Sequence, residues 1–254
     1  MKFNIRLILF HSLLLALLLN SCCKEKPKIA EEIIGVITVD LNTDKKIIRT
    51  AENLAGNMIT DAFMEYAHTN GKNPDFSLIG SGGIRFDESI RSDGIYPAGN
   101  WTNLMVNELL PFGSTLMLVT ITGAELKQIF ERSVSNLPAP IGAFQQLSHE
   151  ISIKVDITKQ AQIIDQSQNP AVITTPGERI TSIKFGDLEY NSNNQYTLLI
   201  NDFLANGGDG FITLGNIPNN LKENLGVTED AVFNQYIRKN SPVSTVLEGR
   251  VQFQ

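Results

Sequence analysis

Two cysteines stand in the 254 residues, the adjacent Cys22 and Cys23, so the chain has no disulfide framework and must be held together by its core. Histidine is nearly as scarce. His11, His68 and His149 are the only three, and none has a second histidine at ligand spacing. That excludes a two-metal hydrolytic site of the usual His-rich kind, and no Ser-His-Asp pattern or reactive cysteine stands in for it. Positive charge is in deficit, with 21 Lys and Arg against 27 Asp and Glu. Such a balance argues against general nucleic-acid binding, which needs a basic face, but leaves room for an anionic small molecule held by a few local cations. No apolar run is long enough for a comfortable membrane span, and there is no internal repeat or low-complexity tract.

The start of the chain is organised differently from the rest. Lys2 and Arg6 precede an apolar stretch over residues 7–19, interrupted only by His11 and Ser12, and Asn20-Ser21-Cys22-Cys23 follow. The order basic, apolar, small is that of a cleaved secretory signal over residues 1–21. Leu19-Asn20-Ser21-Cys22 resembles a bacterial lipobox, so Cys22 is the expected lipidation site. The alternative is an ordinary secretory signal with incidental cysteines. Cleavage removes two basic and no acidic residues, leaving 19 against 27. Residues 22–32, charged and containing Pro27, read as a tether, and the protein is expected to be exported and anchored to the membrane of a bacterial cell envelope, on its periplasmic or surface face. Residues 33–254 are long enough for one well-cored domain.

Within that domain the patterns alternate between strand and helix. Strands are expected over 33–39, 75–79, 116–121, 151–155, 180–185, 196–200 and 243–253. Helices are expected over about 52–67, 101–109, 122–134 and 230–239. The first has a Leu54, Met58, Ala62, Phe63 and Tyr66 face, and the third opens on a Thr122/Glu125 capping box. The fold class is α+β, a single layered α/β domain with a mixed sheet.

Four clusters carry possible chemistry. The most conspicuous is Asn201-Asp202-Phe203-Leu204-Ala205-Asn206-Gly207-Gly208-Asp209-Gly210-Phe211, which follows an apolar strand. Its glycines permit positive φ and close approach to a ligand, while its rings offer flat faces. A glycine-rich hairpin turn is the plain alternative, and the spacing of Asp202 and Asp209 does not suit an EF-hand calcium loop. Gly80-Ser81-Gly82-Gly83-Ile84-Arg85 is a strand entering a turn whose amides and guanidinium suit phosphate or carboxylate, or else a simple tight turn. Lys45 and Arg49 either present two cations together or lie on a solvated face. In Pro111-Phe112-Gly113-Ser114 the ring is either offered to a ligand or buried.

Gly82-Gly83-Ile84-Arg85, Pro111-Phe112-Gly113, Thr122-Gly123 and Asn206-Gly207-Gly208-Asp209-Gly210-Phe211, with Gly56-Asn57 in the first helix, follow the order and spacing of a known family. Over residues 33–253 the chain resembles the C-terminal domain of the 5'-nucleotidases, a family that includes bacterial UDP-sugar hydrolases and 2',3'-cyclic-nucleotide phosphodiesterases. The resemblance implies a substrate-recognition domain that stacks the base between Phe112 and Phe203. It implies that Arg49 and Arg85 face the phosphate, that Lys45 stands where a further arginine often lies, and that Gly83 and Ser114 are further candidate substrate-binding positions. It further implies that Asp209 holds the ribose hydroxyls and that Gly142 contacts the base through its backbone. Two departures leave base preference and phosphate affinity open: Ser114 stands where some members have an asparagine, and Lys45 cannot form an arginine's planar fork.

Full-length members join this domain to a metallophosphatase domain that binds two metal ions. The expectation is therefore a nucleotide- or nucleoside-recognition half of a 5'-nucleotidase-type hydrolase in nucleotide catabolism. It would have no catalytic residue and no metal or cofactor of its own, and divalent metals would belong to a separate metallophosphatase subunit. The cleft, expected between Gly82-Gly83 and Gly207-Gly208, would face that subunit. The alternatives are a non-catalytic nucleoside- or nucleotide-binding lipoprotein and a structural lipoprotein that has lost the ligand.

Overall fold

Successive side chains of a strand point to opposite faces, and the central strands of this protein are apolar on both. A five-stranded sheet runs through the middle: β1 (Phe76–Gly80), β2 (Thr115–Thr122), β3 (Gln145–Leu147), β4 (Gln195–Asn201) and β5 (Lys222–Thr228), in spatial order β5-β2-β4-β1-β3. Phe76, Leu78, Val119, Ile121, Leu198 and Ile200 enter one core, and Ile79, Leu116, Leu118 and Leu199 the other. The computed structural model describes residues 30–254, within which Glu32–Gln254 forms one unit. The expected signal, Cys22 and most of the tether lie outside the described residues.

The first core is closed by helix α2 (Gly123–Ser133) and by a second sheet ordered Leu188–Glu189, Ile180–Phe185, Ile151–Val155, Val251–Phe253. The second is closed by helices α1 (Leu54–Thr69) and α3 (Glu229–Asn240), with Tyr96 and Trp101 between them and the sheet. Helices α1 and α2 begin where side chains satisfy their first amides, while at α3 the Glu229 amide donates to the main-chain oxygen of Ser114. Asn53 Oδ1 accepts from Ala55 N at 2.9 Å. At α2, Glu125 N donates to Thr122 Oγ1 at 3.2 Å and Thr122 N donates to Glu125 Oε2 at 2.7 Å, the capping box expected from the sequence. Among the described residues no helix is long and apolar enough to cross a membrane.

The structure corrects several expected boundaries. Trp101 is not helical: it lies in the strand Gly99–Thr102, opposite Gly35 of the strand Ile33–Ile37, and the helix Asn103–Leu109 starts only after Thr102 caps it. The closing strand is only Val251–Phe253. Residues 246–250 instead satisfy their backbone through α1 and its N-terminal flank: Asn57 Nδ2 donates to Val246 O at 3.0 Å, and Glu52 accepts from Glu248 N and Arg250 N, each at 2.8 Å. Strands β3 and β5 were not anticipated. The stretch after β4 is no simple loop either. Asn201 caps a helical turn Asp202–Ala205, followed by a 3-10 turn Gly208–Gly210 and a further helical turn Ile212–Gly215.

Sheet topology gathers distant segments at one edge. Strands β1 and β4 are parallel neighbours, with Leu198 opposite Phe76, so both carboxyl ends leave the sheet on the same side. Strand β2 runs antiparallel to β4 with Leu116 opposite Asn201, which brings residues 112–114 to that edge. Gln145 of β3 pairs with Gly80, which brings Gly142 there as well.

Candidate functional site

At that edge the chain encloses a cleft of about 460 Å³. Its floor is main chain, from Gly80, Gly82, Gly83 and Gly142. Gly82 N donates to Gly142 O at 2.8 Å, and a Cβ on Gly82 would come within 3.1 Å of the Gly142 Cα, so the two loops touch as only glycines can.

Two cations form one wall. Arg49 follows the one-turn helix Lys45–Ile48, whose end is pinned from the sheet. Gln146 Nε2 donates to Ile48 O and Ala51 O, each at 2.8 Å, its Oε1 accepts from Asn53 N at 2.9 Å, and Ser81 Oγ donates to Ile48 O at 2.7 Å. Gly56 makes room for this, because a Cβ there would lie 2.3 Å from the Gln146 side chain. Arg85 is fixed through its backbone, which donates to Leu109 O and accepts from the Tyr96 hydroxyl. The Nε of each arginine is buried without a hydrogen-bond partner, and an unmet buried donor costs about 1–3 kcal/mol. Burial, then the neighbouring Arg85 charge, lowers the Arg49 pKa, and Asp209 partly offsets both. Together the two arginines make a preorganised receptor for an anion.

Opposite them is Asp209, at φ 53° and ψ 21°. It is the one non-glycine residue with positive φ among the described residues, a conformation that costs about 1–2 kcal/mol. Two side chains project from the rim: Phe112, 59% exposed, and Phe203, 52% exposed. The Arg85 guanidinium carbon sits 5.3 Å from the Phe112 ring centre. A Cβ on Gly208 would come within 2.5–2.6 Å of three Phe203 ring carbons, so that ring rests its face on a bare glycine.

The family pattern described as 5'-nucleotidase, C-terminal domain, matches residues 33–216, well over half of the chain. The chain belongs to the 5'-nucleotidase C-terminal domain family. The snake venom 5'-nucleotidase of Gloydius brevicauda is 30% identical over 237 residues, covering 87% of this chain and 36% of that protein. The trifunctional nucleotide phosphoesterase protein YfkN of Bacillus subtilis is 27% identical, over 90% of this chain and 14% of that protein. This chain therefore spans little more than a third of the first of these relatives and a smaller share of the second. Among solved structures, a 5'-nucleotidase precursor from Thermus thermophilus shares the fold with a TM-score of 0.72 at 24% identity, over 97% of this chain and 42% of that one. The NAD nucleotidase of Haemophilus influenzae does so with a TM-score of 0.66 at 20% identity, over 95% and 40%.

This 5'-nucleotidase C-terminal domain gathers at its cleft Arg49, Gly83, Arg85, Phe112, Ser114, Gly142, Phe203 and Asp209. Lys45 does not line it: its Nζ pairs with Glu88 at 2.7 Å on the exposed side of its helix. Gly207 and Gly208 do not line it either, contrary to expectation; they lie in a shallower concavity with Phe203, Asp202 and Asn206. Asn201 and Leu204 also line the cleft, with no role foreseen for them. Asn201 Oδ1 accepts from Leu204 N at 2.9 Å, and its Nδ2 donates at 3.0 Å to Glu229, a carboxyl 4% exposed. Burial pushes the Glu229 pKa up to about 8; the bond from Asn201 pulls it down, and the charges of Asp202 and Asp230 add to the rise. Glu229 N also donates to Ser114 O at 2.9 Å, tying this buried group to both rims of the cleft. The nearest thing to a signal for Glu229 was its position at the start of an amphipathic helix.

Among the described residues no group of three or more His, Cys, Asp or Glu side chains gathers to hold a metal ion. The side chains of this cleft do not compose a ligand set for the two metals of the family's metallophosphatase domain. What they offer is two flat faces, a pair of cations and a carboxylate to which no described residue donates a hydrogen bond.

Proposed function

We propose that this domain is the nucleotide-recognition half of a 5'-nucleotidase-type hydrolase of nucleotide catabolism, working with a metallophosphatase carried on a separate polypeptide. The observation that carries the reading is the meeting, in one cleft, of two exposed rings, two arginines whose buried Nε finds no partner among the described residues, and a carboxylate to which none of those residues donates a hydrogen bond. Each complements one part of a nucleoside monophosphate. Aromatic faces stack any base without reading its edge, an ionised carboxylate accepts from two adjacent ribose hydroxyls, and guanidinium groups fork onto a phosphate. Broad base preference follows, with Ser114 and Asn201 nearest to any discrimination. What this chain contributes to hydrolysis is orientation of the substrate, which is worth many powers of ten in rate.

Calorimetry with adenosine 5'-monophosphate tests the binding half, and absence of binding overturns it. For the catalytic half, the chain is mixed with a two-metal metallophosphatase domain expressed without its own recognition domain. The Michaelis constant for the nucleotide should fall, Phe203→Ala should abolish that fall, and turnover of p-nitrophenyl phosphate should stay unchanged. Retained binding with no kinetic effect would instead identify a nucleoside-binding lipoprotein. Metal-dependent nucleotidase activity of the purified chain alone would refute the division of labour.

The same proposal includes export and lipidation at Cys22, with residues 22–32 as the tether, supported by the Leu19-Asn20-Ser21-Cys22 sequence after an apolar run. Mass spectrometry of the mature protein should find a diacylglyceryl Cys22 at the N-terminus, and Cys22→Ser should leave the precursor unprocessed. An unmodified N-terminus elsewhere overturns this part.

A further inference from the structure

The carboxylate of Asp209 is aimed by a guanidinium that bonds only its main chain. Arg132, in the last turn of α2, donates Nε and Nη2 to the main-chain oxygen of Asp209 at 2.9 and 2.6 Å. Its Nη1 donates to Ser135 Oγ at 3.0 Å, and that hydroxyl donates back to Arg132 O at 2.9 Å, so the guanidinium is itself held. A planar fork on one carbonyl fixes the plane of the peptide between Asp209 and Gly210. Gly210, at φ 79°, is the residue such a contact needs, because a Cβ there would stand 3.1 Å from two guanidinium nitrogens.

Once that peptide is fixed, the left-handed backbone of Asp209 leaves its side chain little choice of direction. Its Oδ2 comes to rest against the glycine floor, 3.2 Å and 3.5 Å from where Cβ atoms of Gly82 and Gly142 would be. Among the described residues nothing donates a hydrogen bond to this carboxylate. The arginine directs two donors to the Asp209 main chain and one to Ser135, and leaves the charged oxygens open to the cleft. Were that peptide free to turn, the restriction on the side chain would be lifted, and among the described residues no hydrogen bond of its own would keep the carboxylate in place.

We propose that Arg132 is a positioning residue for ribose recognition, locking the peptide between Asp209 and Gly210 so that the Asp209 carboxylate accepts hydrogen bonds from the vicinal diol of a ribonucleoside. The proposal rests on the nucleotide reading of the cleft. Arg132 itself touches no ligand, and the class it selects is the cis-diol, set against sugars lacking one.

The test is calorimetry of the full chain with adenosine and with 2',3'-dideoxyadenosine, on the wild type, Asp209→Asn, Arg132→Gln and Arg132→Lys. Two hydrogen bonds to an ionised acceptor should make the wild type prefer adenosine by about tenfold or more. Asp209→Asn should remove most of that preference, and Arg132→Gln should remove as much while leaving dideoxyadenosine affinity within about twofold. Arg132→Lys should restore only part, since a point charge cannot hold the peptide plane. Equal losses for both ligands in Arg132→Gln, or an intact preference, would overturn the proposal. No preference in the wild type, with no effect of Asp209→Asn, would overturn the assignment of Asp209 and the proposal with it. Should Arg132→Gln fail to fold, Arg132→Lys must show part of the same selective loss; an intact preference there also overturns the proposal.

Discussion

Rings in the two cores and rings at the cleft keep different company. Trp101, fully buried, stacks on Tyr96 at 5.3 Å and meets Phe233 edge-on at 6.2 Å; Phe76 meets Phe130 at 6.3 Å in the other core. Among the described residues Phe112 and Phe203 pack against no other ring: one has a guanidinium beside it and the other a glycine beneath it. Exposure alone would not separate them, since Phe253 is 47% exposed on the short closing strand and lines no part of the cleft. A cation beside the ring would not separate them either, since the core ring Tyr96 has the Arg91 guanidinium 4.2 Å from its centre. What distinguishes the cleft rings is that their faces are left to a cleft and not covered by another ring. Rings of the first kind serve stability, and those of the second suit the stacking role proposed for them.

The contrast breaks if a core ring proves dispensable. Trp101→Ala should cost about 3–5 kcal/mol in chemical denaturation, while the fraction that remains folded binds nucleotide as the wild type does. A smaller effect comes from the buried carboxyl between the two regions. Because the Glu229 pKa lies near 8 in the folded protein against an ordinary value near 4.5, the folded state holds a proton that the unfolded chain gives up between those values. Stability from this group is full below pH 4.5 and is lost as pH rises to about 8, by up to a few kcal/mol. Glu229→Gln should flatten that decline in melting temperature and raise it most at pH 8; an unchanged slope would mean that the carboxyl is not buried in solution. Next in size, Phe112→Ala or Phe203→Ala should weaken nucleotide binding by about 1–3 kcal/mol and shift stability by less than about 0.5 kcal/mol. Destabilisation by several kcal/mol would place either ring among the core rings. Smallest is a control outside both sets: Thr122→Ala removes half of the α2 capping box and should cost about 1 kcal/mol of stability, with binding intact in calorimetry.

Local patterns were legible and long-range ones were not. The faces of α1, α2 and α3 and the Thr122 cap are written within a few residues of one another, and the structure has them with boundaries moved by a residue or two. Trp101 was misread because its strand partner, Gly35, lies far along the chain. Residues 243–250 look like a strand, but their backbone is satisfied in part by Glu52 and Asn57, side chains that no periodicity links to them. At the cleft, glycine-flanked rings and arginines announced themselves. Lys45 stands four residues before Arg49, yet its Nζ pairs with the exposed Glu88 and it does not line the cleft. Arg132 gave no signal at all, being one more charged residue in an amphipathic helix until the fold set it beside Asp209.

The place of β4 has a consequence for how the molecule is made. It is the middle strand of five, and both of its neighbours, β2 and β1, precede it in the chain. A nascent chain that has emerged only as far as residue 190 can form those neighbours but leaves between them a slot with two unpaired edges, the kind of surface that recruits stray strands. The segment that fills the slot also delivers Asn201, Phe203 and Asp209 to the cleft. Closure of the sheet and arrival of the groups that line the cleft are therefore one event.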